Sequence, residues 1–222
     1  YKYDDFDKSG SSYTLKGNIP HYVSESNTQP GMPKYKDLNG DGVIDTNDRT
    51  MIGRGLPIHT GGFTNNFEYK GFDLSVFFQW SYGNDVLNAN RLFFDSGFQK
   101  KRELNQYASY TDRWTPENPN SNIPAATNSS SNLVISSRVV EDASFLRLKT
   151  VTLGYTVPKT FLKKYKIDNA RLYVAAQNLW TITGYSGYDP EVSIRSGGLT
   201  PGLDFSSYPR ALSVSFGINL GF

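Results

Sequence analysis

The stretch RALSVSFGINLGF, residues 210–222, has the clearest periodicity in the chain. Apolar residues occupy every second position, with small or polar residues between them: Leu212, Val214, Phe216, Ile218, Leu220 and Phe222. Because side chains of a β-strand point alternately to its two faces, this stretch predicts a strand with one apolar and one polar face. The apolar face contacts either a protein core or lipid, and other parts of the chain discriminate between the two.

Four other segments repeat this alternation, at residues 62–69, 72–82, 145–157 and 171–182. The second of them has a continuous apolar side, which consists of Phe72, Leu74, Val76, Phe78 and Trp80. Only Lys70 and Gly71 separate the first segment from the second, a spacing that is typical of a β-hairpin. The five segments therefore predict an all-β, antiparallel fold.

The composition agrees with a β-protein and narrows the functional classes. Of 222 residues, 14% are aromatic and 20 are glycine, while hydrophobic residues make up only 37%. The net charge of +2 comes from acids and bases mixed along the chain, which argues against a nucleic-acid partner. There is no cysteine and no long apolar run, so neither a disulfide framework nor a transmembrane helix is predicted. The opening residues YKYDDFDKSG lack an initiator methionine and a signal peptide, and predict a piece of a longer protein.

Connections between the segments alternate between short and long. Residues 70–71 and 158–169 form short connections, whereas 84–144, 183–208 and everything before 61 are long. This sorting is typical of outer-membrane β-barrels, which have short turns at one end and long loops at the other. A strand of about 10 residues tilted by about 40° spans roughly 26 Å, close to the apolar band of such barrels. The apolar sides described above are therefore predicted to face lipid. Since five strands cannot close a barrel, the remaining strands are expected upstream.

The stretch DLNGDGVIDTND, residues 37–48, matches a calcium-binding loop except that Asp replaces the final Glu. Ca²⁺ takes six to eight oxygen ligands, and the spacing of this loop supplies them from side chains and one backbone carbonyl. The candidate ligands are Asp37, Asn39, Asp41, Val43 (through its carbonyl), Asp45 and Asp48. A structural calcium ion is predicted, and the alternative is a set of tight turns without metal, since Asn-Gly and Asp-Gly are strong turn formers.

Signals for catalysis are weak, and no catalytic residue is predicted. The acidic pair Asp189 and Glu191 resembles glycosidase carboxylates only in residue type, so a surface glycoside hydrolase is an alternative without positive support. The basic run KKYK, residues 163–166, is interpreted as a solvated connector. The aromatic and amide-rich segment at 107–124 suits contacts with sugars or peptides, or packing on itself or a partner protein, and these alternatives stay open.

Several motifs in order resemble the C-terminal part of SusC/RagA-type TonB-dependent outer-membrane transporters of Bacteroidetes. The similarity covers residues 31–222 and is carried by KYKDLNGDGVIDTNDRTMIG, FDLSVFFQWSYGND, DRWTPENPN, VEDASFLRLKTVTLGY, RLYVAAQNLWTITGYSGYDPE and the terminal aromatic strand. The resemblance implies an antiparallel transmembrane β-barrel of 22 strands filled by an N-terminal plug, of which this chain supplies about the last five strands and long extracellular loops. It further implies import of oligosaccharides or peptides across the Gram-negative outer membrane, with a SusD-like lipoprotein and with TonB, which would act through the absent N-terminal part.

The resemblance also predicts which connections are extracellular. If Phe222 ends in the periplasm, every long connection falls outside the cell and every short one inside. Residues 1–60 are then an extracellular loop region with the calcium-loop motif, and residues 61–222 are C-terminal barrel strands with two long extracellular loops. The main alternative is a soluble, calcium-dependent glycan-binding β-sandwich.

Overall fold

The computed structural model describes residues 1–23, 27–97, 105–128, 130–193 and 201–222. The described chain is mostly β-strand with little helix, which confirms the all-β prediction. No helix in these ranges is long and apolar enough to cross a membrane. The strands are β1 (Phe6–Ser9), β2 (Ser12–Leu15), β3 (His21–Tyr22), β4 (Val43–Ile44), β5 (His59–Tyr69), β6 (Phe72–Tyr82), β7 (Asp85–Asn88), β8 (Val140–Asp142), β9 (Phe145–Thr156), β10 (Asn169–Thr183), β11 (Leu203–Asp204) and β12 (Ser213–Gly221). The helices are α1 (Ala89–Phe94) and α2 (Lys159–Leu162), with 3₁₀ turns at Tyr3–Asp5, Thr46–Asp48, Ala108–Asp112, Ser130–Leu133 and Lys163–Tyr165.

The chain forms two compact units. Unit 1 contains Tyr1–Ile52 and Asn88–Val140, and unit 2 contains Gly53–Leu87 and Glu141–Phe222. Residues 88–140, which the sequence places within the strand region as a long loop, thus cluster with the N-terminal segment. The division at residue 60 into an extracellular loop region and barrel strands stays a prediction.

Unit 2 is built around a five-stranded antiparallel sheet with the order β12-β10-β9-β6-β5. Each of the five alternating segments overlaps one strand of this sheet. The β5–β6 hairpin turns through Lys70 and Gly71, both with positive φ, 47° and 87°. Two consecutive positive φ values are the signature of a type I′ turn, whose twist matches that of the flanking strands.

The register of the sheet places the apolar side chains of all five strands in continuous rows. One row across the sheet joins Phe67, Leu74, Leu153, Val174 and Phe216, each paired with the next. A slip of one residue in any pair would move that strand's apolar set to the opposite face, so the rows fix the register. A second row runs through Tyr69, Phe72, Tyr155, Leu172 and Ile218.

A bulge interrupts the ladder at the same level in two strands. Phe77 pairs with Thr150 and Phe78 with Leu148, so Lys149 is an extra residue in β9. In β10 the register shifts at Asn178, which adopts a left-handed φ of 54°. The extra residue Lys149 shifts the side-chain alternation of β9 by one position. The apolar side chains before and after the bulge therefore point to the same face of the sheet.

The opposite face of the sheet is polar, and an ion pair spans three strands there because the middle strand has a glycine between the two charged residues. Arg171 of β10 donates two hydrogen bonds to Asp73 of β6, the one from Nε measuring 3.0 Å. Gly154 of the intervening β9 is paired with Asp73, and a Cβ at Gly154 would lie 2.5 Å from Asp73 Oδ1. Glycine is required here because a side chain would occupy the space of the ion pair.

Unit 1 has a small aromatic core rather than an extended sheet. Its buried members are Tyr1, Phe6, Met32 and Ile44, and partly buried tyrosines pack around them. The short strands pair as a β1–β2 hairpin and as a parallel β3–β4 pair. Mutual packing of rings supplies much of the apolar burial that a unit with so little regular structure needs.

Candidate functional site

The continuous apolar face of the five-stranded sheet is exposed. On β12 and its flanks the six predicted residues range from 49% exposed for Val214 to 85% for Phe222. On β6, Phe72 is 51% exposed, and Leu74, Val76, Phe78 and Trp80 are half-buried by the neighbouring strands. Soluble monomers rarely expose so large a contiguous apolar surface, and a β-sandwich would bury it. The sandwich alternative is therefore not favoured, and contact of this face with lipid stays a prediction.

On the polar face, one arginine holds two carboxylates. Arg147 Nη2 of β9 donates to Asp189 Oδ1 at 2.5 Å, and the two side chains are only 3% and 4% exposed. Arg147 Nη1 lies 2.8 Å from Glu191 Oε2. Asp189 also accepts the backbone N–H groups of Glu191 at 2.9 Å and Arg210 at 3.0 Å. These contacts hold both ends of the β10–β12 connection against β9.

Two further basic residues complete this group, which we call the Arg147 cluster: Arg147, Lys149, Asp189, Glu191 and Arg210. Lys149 Nζ lies 3.4 Å from Glu191 Oε2, and Arg210 Nη2 lies 3.3 Å from Glu191 Oε1. Every carboxylate of the cluster is thus paired with a cation. Neither acid is available as a glycosidase acid or base, so the hydrolase alternative has no support in the geometry.

A second set of contacts fixes the same connection. Tyr185 Oη donates to Asp204 Oδ2 at 2.7 Å, and both residues are buried. Glu141 accepts hydrogen bonds from the backbone N–H and the hydroxyl of Ser186, both at 2.9 Å. Tyr185 also packs in a small core with Val86 and Ala143. The described parts of the β10–β12 connection are therefore anchored at several points.

The Arg147 cluster makes a pH prediction. Burial acts to raise the pKa of Asp189, but hydrogen bonds from Arg147 and from two backbone amides outweigh it and hold the pKa below its ordinary value of 3.8. A carboxyl whose folded pKa is depressed stabilises the fold above its unfolded pKa, and this contribution disappears as pH falls through the folded pKa. We expect hydrogen exchange in residues 184–193, corrected for intrinsic rates, to be constant from pH 7 to about 5 and to rise below about pH 4. Asp189→Asn is the control, and an identical rise in this variant would contradict the assignment to Asp189.

The calcium-loop motif closes on itself through its own side chains. Asp37 accepts the backbone N–H groups of Gly40 at 2.6 Å and Gly42 at 2.8 Å, and Asp48 accepts those of Leu38 at 2.7 Å and Asp45 at 2.8 Å. The remaining side chains bond locally as well: Asn39, Asp41 and Asp45. Among the described residues, no three acidic or histidine side chains converge as a ready metal site. In this geometry the loop is a set of tight turns closed by side-chain hydrogen bonds to backbone amides. Calcium binding stays a prediction.

The aromatic segment at 107–124 packs inside unit 1. The Trp114 ring lies 5.4 Å from that of Tyr3, and a Cβ on Gly31 would be 2.5 Å from it. Arg113 lies over the Tyr110 ring at 5.1 Å. A cavity of about 410 Å³ adjoins Trp114. The rings of Trp114 and Tyr110 thus pack against other residues of this chain, which is one of the alternatives stated for this segment.

The chain matches known proteins along most of its length, although no protein-family model matches it. It is 38% identical over 213 residues to the TonB-dependent receptor P3 of Formosa agariphila, a match that covers 93% of this chain and 21% of the relative. It is 28% identical to the TonB-dependent receptor SusC of Bacteroides thetaiotaomicron, with 90% of this chain and 18% of SusC covered. The chain spans about a fifth of the length of the curated relatives it matches.

Solved structures agree with the sequence relatives. The RagAB peptide importer in its open-open state superposes with a TM-score of 0.70 and 28% identity, covering 85% of this chain and 20% of that one. The RagAB peptide transporter gives 0.69 and 29%. Sequence and fold together show that the chain belongs to the SusC/RagA-type TonB-dependent receptors and corresponds to the C-terminal part of such a protein.

Proposed function

We propose that the full-length protein containing this chain is an outer-membrane importer of oligosaccharides or peptides. The observation that carries the proposal is the exposed apolar face that runs unbroken across five antiparallel strands, backed by a polar face with buried charges. A sheet with this division suits a barrel wall between lipid and a water-filled interior. In this proposal the chain supplies wall and loops, and no bond-making chemistry.

The proposed orientation follows from the connections. The short ones, at Lys70–Gly71 and between β9 and β10, lie in the periplasm, and the long ones lie outside the cell. The Arg147 cluster then sits at the extracellular end of the wall, where it fixes one long loop. Loops at this end are where a rigid barrel presents contacts to ligand and partner.

The proposed partners are a SusD-like surface lipoprotein and TonB. Similarity to SusC and to the RagAB importer supports this assignment, since these relatives belong to the same receptor type. The substrate is proposed only as an oligosaccharide or a peptide. One similar structure is a peptide importer, whereas the name of the relative SusC specifies no substrate.

Energy-dependent uptake tests the proposal. Cells that produce the full-length protein with its neighbouring lipoprotein should accumulate a fluorescent oligosaccharide or oligopeptide, and accumulation should stop when TonB is deleted. Comparison of the two probe classes assigns the substrate. Uptake that persists at the same rate without TonB would contradict the proposed mechanism.

We also propose that the loop at residues 37–48 binds a structural Ca²⁺. Its oxygen-rich sequence supports this, and binding requires the side chains of Asp37, Asn39, Asp41 and Asp45 to turn from backbone amides toward the ion. All of these oxygen-bearing side chains lie within one twelve-residue loop, the length over which a calcium loop supplies its ligands.

Chelation and a single substitution test the calcium proposal. We expect that EGTA speeds proteolytic cleavage within residues 37–48 of the full-length protein, because the ion crosslinks the loop. Asp48→Glu should bind Ca²⁺ about tenfold more tightly, since Glu at the twelfth position reaches the ion through both oxygens. Calorimetry measures the affinity, with Asp7→Glu as a control outside the loop. Cleavage unaffected by EGTA and no calcium binding by either form would leave the loop as a set of turns.

A further inference from the structure

One end of the five-stranded sheet carries a concentration of lysines that the proposed function leaves unexplained. Four lie in the β9–β10 connection and one in the β5–β6 turn: Lys159, Lys163, Lys164, Lys166 and Lys70. The four in the connection are exposed, and none of the five takes part in an ion pair with another described residue. We call these five residues the lysine end.

Backbone contacts show that the two connections and the chain terminus lie side by side. Thr156 N donates to Gly71 O at 2.7 Å, which joins the β5–β6 turn to the start of the β9–β10 connection. Asp168 N donates to Gly221 O at 2.9 Å, which joins the end of that connection to β12. The lysine end is therefore one surface, although its parts are far apart in sequence.

Exposed aromatic rings accompany the lysines. In the β9–β10 connection Leu162 is buried, whereas Phe161 and Tyr165 are 69% and 68% exposed. They stand four residues apart in consecutive helical turns, a spacing that places two side chains on the same side. Tyr69 is 69% exposed, with Lys70 Nζ 5.0 Å from its ring centroid. Rings and lysines together at the edge of an apolar face are typical of a membrane–water interface.

The charge of this surface is not balanced by its acids. Asp73 is engaged by Arg171, which leaves Glu68 and Asp168 as the other acids near the ends of these strands. A positive, aromatic surface that continues an apolar face matches a layer of anionic headgroups above hydrocarbon.

We propose that the lysine end binds the phosphates of anionic glycerophospholipids in the inner leaflet of the outer membrane. The proposal rests on the proposed function, because it needs the sheet in a bilayer with its short connections in the periplasm. The lysines contact headgroup phosphates, while Phe161, Tyr165 and Tyr69 lie at the level of the glycerol backbone. This surface would set the height and tilt of the barrel wall in the membrane.

Lipid retention tests the proposal. The detergent-solubilised full-length protein is mixed with equimolar phosphatidylglycerol and phosphatidylcholine of identical acyl chains, and the retained lipids are counted by native mass spectrometry. Each lysine near a charged surface contributes about fivefold to binding. We therefore expect a clear preference for phosphatidylglycerol and a loss of at least about tenfold when Lys159, Lys163, Lys164 and Lys166 are changed to Gln. Salt at about 0.5 M should weaken the preference of the unaltered protein, because it screens the charges.

A matched variant removes four cations elsewhere. Lys8, Lys36, Arg49 and Arg54 are exposed residues outside the lysine end, and their change to Gln should leave the preference intact. Equal preference in the lysine-end variant and the unaltered protein would overturn the proposal, as would an equal loss in the matched variant. The double variant Lys163→Gln with Lys164→Gln should give an intermediate loss of the lipid preference. A graded loss distinguishes weaker lipid binding from misfolding of the fourfold variant.

Cysteine labelling separates the leaflets and the proposals. This chain contains no cysteine, so Lys164→Cys introduces its single thiol. A membrane-impermeant maleimide should label it only after the outer membrane is permeabilised. Labelling in intact cells would place the lysine end outside and overturn the inner-leaflet assignment. Failure of the full-length protein to insert into vesicles would instead refute the proposed function, whereas correct insertion without a lipid preference would refute only this inference.

Discussion

Phe216→Arg should destabilise the full-length protein in a bilayer by about 2–4 kcal/mol, the cost of an arginine on the lipid face of a barrel near the midplane. Phe216 is 82% exposed on β12, in the row that joins the apolar side chains of five strands. The arginine would be forced to leave its charge in hydrocarbon or bend toward the headgroups.

The neighbouring residue provides the control. Ser215 precedes Phe216 on β12, and its side chain points to the polar face. Ser215→Arg adds the same charge at the same depth, and we expect a loss below about 1 kcal/mol because that face is hydrated. Urea unfolding of the protein in phosphatidylcholine vesicles measures both. Equal losses in the two variants would show that the apolar face does not contact lipid.

Arg147→Met should cost about 3–5 kcal/mol of unfolding free energy, because it leaves Asp189 and Glu191 without the buried cation that pairs with them. The Arg147 and Asp189 side chains are almost inaccessible, so solvent cannot replace the lost contact. Protease cleavage within residues 184–210 should rise together with the loss of stability, since the cluster holds both ends of that connection.

An Arg–Asp pair between two strands of the sheet serves as the comparison. Arg171 and Asp73 are 29% and 33% exposed in their side chains, and an ion pair that water reaches contributes little to stability. Arg171→Met should therefore be mild. Combining Arg147→Met with Asp189→Asn and Glu191→Gln should recover part of the loss, because no buried carboxylate is then left without its cation. Lys149 and Arg210 lose their partner in this variant, but both side chains reach solvent. If Arg147→Met is no more harmful than Arg171→Met in urea unfolding, the cluster does not stabilise the loop.

The positions of the strands could be predicted from the sequence because alternation is a local property. The predicted strand at residues 72–82 has the same bounds as β6. The two-residue turn could be predicted because only Lys70 and Gly71 separate the first two alternating segments. The bulge at Lys149 was missed, although the sequence contains a signal for it. In LRLKTVTL the apolar positions are 146 and 148, then 151 and 153, so the alternation skips one residue at the bulge.

The Arg147 cluster could not be predicted, because nothing local relates Arg147 to Asp189, 42 residues away. The sequence identifies Asp189 and Glu191 only as an acidic pair. The cations that neutralise them come from β9 and from residue 210. Ion pairs between a strand and a distant loop depend on the fold of the loop, which has no periodic signal. The grouping of unit 1 has no local signal either, since it joins two segments separated in sequence by the β5–β6 hairpin.

Anchoring the β10–β12 connection at both ends makes its middle a place where length can change at little cost. Asp189 and Glu191 fix one end, and Asp204 and Arg210 fix the other. Lengthening a loop whose ends are already held costs only about 0.6 kcal/mol for each doubling. An epitope tag inserted between residues 193 and 203 should therefore leave both anchored ends, the sheet and assembly intact.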